Sequence, residues 1–117
     1  MASLAQVRLN TSSQEILQEF EKEGIIQDTN TSGAVYLMLD ADYWTVYYTI
    51  NEASICTQCF IVPADNEVIN YFVEKYNKNY VVIGIKEWRS YYGADVASIV
   101  LKETEDGEAF FLWEMME

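Results

Sequence analysis

Cys56 and Cys59, in the stretch "CTQC", are the residues whose type and spacing name a chemistry. Redox pairs with this spacing place the first cysteine at a helix N-terminus, where the thiolate is stabilised, and zinc sites need further ligands. Here the pair lies within a stretch of strand character, and the chain has no other cysteine and no histidine. Side chains three apart in a strand point to opposite faces. With Asn51 and Glu52 as a two-residue turn, Cys59 lies opposite Trp44 and Cys56 opposite Tyr47, on different sides of the sheet. Both cysteines then serve as small apolar packing residues.

The nearest carboxylate pair for acid–base chemistry is Asp40 and Asp42. In "LDADY" at a hairpin tip, Asp is what a tight bend asks for. Neither "DAD" nor "EDGE" at 105–108 supplies the oxygen ligands of a calcium loop. Without histidine the Ser-His and Cys-His arrangements are excluded. The five glycines form no phosphate-binding motif. No metal, cofactor or catalytic residue is expected, and the chain reads as a binding protein, not an enzyme.

Charge says more than any motif. Nineteen acids against seven bases give a net charge of -12. Phosphate recognition needs a clustered Lys/Arg footprint, so direct binding to nucleic acid or to an anionic membrane is not expected. A basic protein surface is the electrostatic complement. The charge is also uneven. No Lys or Arg occurs from Glu23 to Glu74, and six acids follow Lys102, whereas Lys75, Lys78, Lys86 and Arg89 fall close together.

Those side chains must be positioned by secondary structure. In "TSSQEILQEFEKEG", Ser12 and Glu15 form a capping box, Ile16, Leu17 and Phe20 make a stripe, and Gly24 suits a C-terminal cap, predicting a helix over 13–23. A polar linker, "QDTNTSG", follows. Three strand-like runs, "AVYLML", "YWTVYYTI" and "SICTQCFIV", predict an antiparallel meander ended by Pro63. Asp65 is an N-cap for a second helix, with Val68, Phe72 and Tyr76 on one stripe. "YVVIGI" at 80–85 reads as a central strand, and "KEWRSYYGAD" as one helical turn closed by Gly93. Asp106-Gly107 marks a hairpin. The last run, "FFLWEMME", is apolar on both faces, so it is either central or at a homodimer interface.

The order α-βββ-α-β-ββ predicts an α+β fold, a mostly antiparallel sheet of about six strands with two main helices packed on one face. One domain over 1–117 is expected, with 1–11 a flexible N-terminal segment. There is no apolar leader and no run of membrane-spanning length, so the chain reads as cytoplasmic.

Along the second strand, Trp44, Val46, Tyr48 and Ile50 share a face assigned to the core. Tyr43 and Tyr47 fall on the other, with Phe60 opposite Tyr43, and Tyr36 and Met38 alongside. Bordered by Asp40, Asp42 and Glu52, this open face reads as a contact surface, unless the 86–92 segment or the chain end covers it. The leading functional reading is a small acidic module of inhibitor or immunity type that occupies a basic surface of a nuclease or another nucleic-acid-binding protein. Its contact residues are Asp40, Asp42, Tyr43, Tyr47 and Glu52. The alternatives are a small-molecule pocket between sheet and helices, lined by Trp44, Tyr48 and Trp113, and a self-assembling accessory subunit.

Overall fold

The structure is a computed structural model that describes residues 7–92 and 94–116. Helix α1 spans Ser13–Glu19 and is followed by a 3-10 turn, Glu21–Glu23. Strands β1 (Ile26–Thr29), β2 (Val35–Asp40), β3 (Trp44–Ile50) and β4 (Cys56–Pro63) come next. Helix α2 (Asn66–Asn79) precedes β5 (Val81–Gly84), β6 (Glu87–Tyr92), β7 (Asp95–Glu103) and β8 (Ala109–Met115).

Local chemistry accounts for the helix ends. The Ser12 hydroxyl accepts from the Glu15 N–H at 3.2 Å, and the Asp65 carboxylate accepts from the Val68 N–H at 3.0 Å, each satisfying a donor that the helix leaves unpaired. The first helix is shorter than the expected 13–23. Its α-geometry ends at Glu19, the chain tightens into the 3-10 turn, and Gly24 closes it in the left-handed region at φ 83°.

All strands join one antiparallel sheet in the order β1-β2-β3-β4-β8-β7-β6-β5. The count is eight, not six. The first three residues of the expected polar linker, Gln27 to Thr29, belong to β1, paired with β2 from Ile26 opposite Met38 to Thr29 opposite Val35. The expected helical turn is β6, with Trp88 and Ser90 turned inward and buried. Gly93, its expected cap, lies outside the described residues. The apolar run 80–85 is β5, which is a sheet edge and not a central strand. Strand β8 is central, held between β4 and β7, which accounts for apolar side chains on both of its faces.

The core lies on one face of the sheet. Leu37, Leu39, Val46, Tyr48, Cys59, Ile61, Ile99, Phe111 and Trp113 are buried there. Two ring contacts fall on the same side of β3: Phe20, the C-cap of α1, stacks on Tyr48 at 6.3 Å, and Phe72 of α2 meets Trp44 edge-on at 5.2 Å. Tyr76 continues the α2 stripe onto Trp88 at 5.5 Å, Phe111 at 5.1 Å and Trp113 at 5.6 Å. The indole hydrogens are satisfied. Trp113 Nε1 donates to the Tyr76 hydroxyl at 3.1 Å, and Trp88 Nε1 donates to Asn77 Oδ1 at 2.8 Å.

Of the N-terminal segment expected to be flexible, residues 1–6 lie outside the described residues. The rest runs against the start of β4, where the Asn10 N–H donates to the Cys56 carbonyl and the Cys56 N–H to the Thr11 carbonyl, both at 2.9 Å.

Phe72 is fully buried and contacts rings from β3, α2 and β8. Phe72→Ala is expected to lower the unfolding free energy by about 3–5 kcal/mol, read from the denaturant midpoint, because the cavity it leaves is walled by rings that cannot collapse into it. A loss below about 1 kcal/mol would mean that the helix is not packed as described.

Candidate functional site

The other face of the sheet carries the candidate site. Through the strand registers, one row of outward side chains crosses the sheet: Ile26, Met38, Tyr47, Phe60, Leu112, Val100 and Glu87. All but the first are half-buried or buried by their neighbours, and Leu112 is only 8% exposed. Two ring pairs flank the middle of the row, Tyr36 with Tyr47 at 6.1 Å and Phe60 with Phe110 at 5.8 Å. Together these four rings line a shallow depression of about 530 Å³, with Asn30 of the β1–β2 hairpin and Glu108 of the β7–β8 hairpin at its rim.

Charges border this patch unevenly. Asp28 lies opposite Tyr36, Asp40 opposite Thr45 and Glu114 opposite Gln58. Thr45 donates its hydroxyl hydrogen to Asp40 Oδ1 at 3.0 Å, and Gln58 Nε2 donates to Glu114 Oε2 at 2.9 Å. Both carboxylates are thereby oriented and keep acceptor capacity. Lys102 and Arg89, on the β7 and β6 side, are the bases that share this face.

The five residues expected to form one contact surface are separated. Tyr47 sits at the centre of the open face, opposite Met38 and Phe60. Asp40 is on the same face, at the end of β2. Asp42 is exposed in the β2–β3 connection, ahead of β3. Tyr43 precedes β3 and, 64% exposed, groups with Trp44, Val68 and Tyr71 near the start of α2. Glu52 belongs to the β3–β4 connection, at the opposite end of β3 from Asp42. Phe60 therefore faces Tyr47, not Tyr43. The 86–92 segment and the chain end do not cover the face, because both are strands within the sheet. Phe110 and Leu112 share the open face without having been expected there; they follow from the alternation of β8 once that strand is placed beside β4.

Of the rings expected to line an inner pocket, Tyr48 and Trp113 are buried against protein groups and Trp44 packs on Phe72. Among the described residues no three Cys, Asp or Glu side chains converge as a metal site would require. Among them, too, no helix is long and apolar enough to cross a membrane.

The cysteines also depart from expectation. Asn51 Oδ1 accepts from the N–H groups of Ala53 and Ile55 at 2.9 and 3.0 Å, and Ser54 adopts φ 64°, so the β3–β4 connection is longer than two residues. The register then shifts: Gln58 lies opposite Thr49 but Cys56 opposite Ile50, an irregularity that gives β4 an additional residue. Both cysteines consequently face the core, fully buried, with Sγ atoms 3.7 Å apart. Cys59 sits opposite Tyr48. The hydrogen bond with Cys59 holds the Cys56 thiol below its ordinary pKa, and burial pushes Cys59 well above it.

A clasp lies over this pair. Arg8 Nε donates to Glu19 Oε1 at 2.8 Å, and the guanidinium stacks on Phe20 at 5.2 Å, tying the N-terminal segment to α1. Hydrogen bonding to Arg8 lowers the Glu19 pKa and raises that of Arg8. No protein-family model, curated protein or solved structure matches the chain.

Because the carboxylate pKa is depressed in the folded state, the clasp stabilises fully above the usual carboxylate range and fades as pH falls through the lowered value. Glu19→Gln is expected to speed maleimide labelling of the buried thiols about two- to fivefold at neutral pH, the scale of a partly exposed ion pair. Hydrogen exchange at the Asn10 and Cys56 amides should show the same difference at neutral pH and lose it in acid. Equal labelling in the two proteins would show that the clasp does not hold the segment down.

Proposed function

We propose that this chain is a protein-binding module that places its open sheet face against a basic surface of a partner protein, in the manner of an inhibitor or immunity-type protein. A nuclease or another nucleic-acid-binding protein presents such a surface. The observation that carries the reading is the half-buried aromatic row on the open face, centred on Tyr47 and Phe60, with carboxylates along its border. Rings of this kind supply desolvated anchors at the centre of an interface, while charges at the rim govern encounter and partner choice. Carboxylates at Asp40 and Asp42 stand in for phosphates against Lys/Arg, and the net charge of -12 draws a basic partner in from a distance. Tyr43, beside the start of α2, and Glu52, in the β3–β4 connection, lie apart from this row. No chemistry is assigned to the chain; blocking access to the partner's surface is the activity.

The test is capture of partners from lysate of the source cell on wild-type and Tyr47→Ala baits, washed at low and high salt, followed by measurement of affinity for the retained protein. A basic protein held at low salt, released at high salt and bound about 30-fold more weakly by Tyr47→Ala, a loss of about 2 kcal/mol, is expected. Binding that ignores salt and survives alanine at Tyr47, Phe60 and Asp40 in turn would overturn the reading.

A further inference from the structure

The cysteine pair plays no part in the contact surface, yet its geometry is specific. In a regular strand, residues three apart point to opposite faces. Here β4 carries an additional residue between Cys56, opposite Ile50, and Gln58, opposite Thr49, and that irregularity turns both cysteine side chains to the core. Their Sγ atoms come within 3.7 Å, and the chain has no other cysteine for either to meet. Both are free thiols. Because a disulfide has an S–S bond of about 2.05 Å, an approach of about 1.7 Å separates the two sulfurs from one.

The pair also has a cover. The Asn10 N–H donates to the Cys56 carbonyl and the Cys56 N–H to the Thr11 carbonyl, each at 2.9 Å, while the Arg8 main-chain N–H donates to the Cys59 sulfur. Both sulfurs are fully buried beneath these contacts, and lifting the N-terminal segment removes them. The segment is held to α1 by the Arg8–Glu19 pair, whose side chains are 24% and 43% exposed. An ion pair so open to water is worth little, so the segment lifts at small cost.

We propose that Cys56 and Cys59 are a reversible dithiol–disulfide couple, oxidised by a low-molecular-weight disulfide such as oxidised glutathione when the N-terminal segment lifts. Cys56 attacks first as its thiolate, the form that its hydrogen bond with Cys59 favours. A bond forms between Cys56 Sγ and one sulfur of the small disulfide, whose own S–S bond breaks and releases one thiolate. Cys59 then loses its proton and attacks Cys56 Sγ, so the mixed disulfide breaks and the second small thiolate leaves. The protons of both cysteines and the two electrons they lose end on the two small thiols. The couple lies on the core face and does not rest on what the open face binds.

The test is intact-mass spectrometry of the folded full chain after incubation in graded mixtures of reduced and oxidised glutathione, with free thiols alkylated on quenching. One transition is expected, from a chain with two alkylated thiols to a chain two hydrogens lighter with none, reversed by dithiothreitol and with circular dichroism unchanged. Cys59→Ser should stop at a glutathione adduct on Cys56. Glu19→Gln should speed the oxidation of the native pair about two- to fivefold at neutral pH; equal rates would overturn the role given to the segment. A folded chain that keeps both thiols in excess oxidised glutathione overturns the inference. So does an end product that is a glutathione adduct or a chain-to-chain disulfide, or a disulfide that forms only after denaturant has unfolded the chain.

Discussion

Burial of the Tyr76 ring is the interaction on which the rest of the structure depends. Its ring meets Phe72 and Tyr80 on its own helix side and Trp88, Phe111 and Trp113 from β6 and β8. Its hydroxyl accepts from the Trp113 indole, so the polar end of the side chain is satisfied inside the core. One residue thus fixes the helix against the central strand of the sheet and against β6, four strands away from β3 in the sheet order, where Phe72 makes the corresponding contact with Trp44. Among the described residues two α-helices accompany the eight-stranded sheet, and these rings fill the space between α2 and its core face.

This way of filling one face leaves the other to its own side chains. On the open face, among the described residues, the apolar row from Met38 to Val100 is shielded by neighbouring side chains and by the hairpin loops at its rim. Half-buried rings there gain less from folding than rings in the core, and they remain available to a partner. The acidic charge has the same double character in the proposed reading: it opposes self-association of such a surface, and it would favour the approach of a basic partner.

Much of this was legible in the sequence, and the exceptions have physical reasons. Ser12, Asp65 and the Asp106-Gly107 turn announced their elements, because capping and turn chemistry are local. The face of β3 that carries Trp44, Val46, Tyr48 and Ile50 was readable from alternation alone. Strand β1 was hidden because a solvent-exposed edge has no apolar pattern to show. In β6 the alternation exists, with Trp88 and Ser90 inward and Glu87, Arg89 and Tyr91 outward, but a buried serine breaks its hydrophobic signature. For β5 an apolar run cannot say whether a strand has one neighbour or two. Cys56 was assigned to the wrong face because an Asn51-centred loop and a shifted register override simple two-residue alternation. The placement of Tyr47 on the open face was readable from alternation, while its neighbours Phe110 and Leu112 depended on which strand β8 joins, a pairing set by contacts distant in sequence.

The central claim is that the open face of the sheet meets the partner. It is tested most directly by two-dimensional NMR of the labelled chain titrated with the basic protein that low-salt capture returns. The account predicts shift changes concentrated at Tyr36, Tyr47, Phe60, Phe110 and the Asp40 amide, with Phe72 and Tyr76 unmoved. Changes confined to α2 or to the β5 edge, with the open face unperturbed, would contradict it.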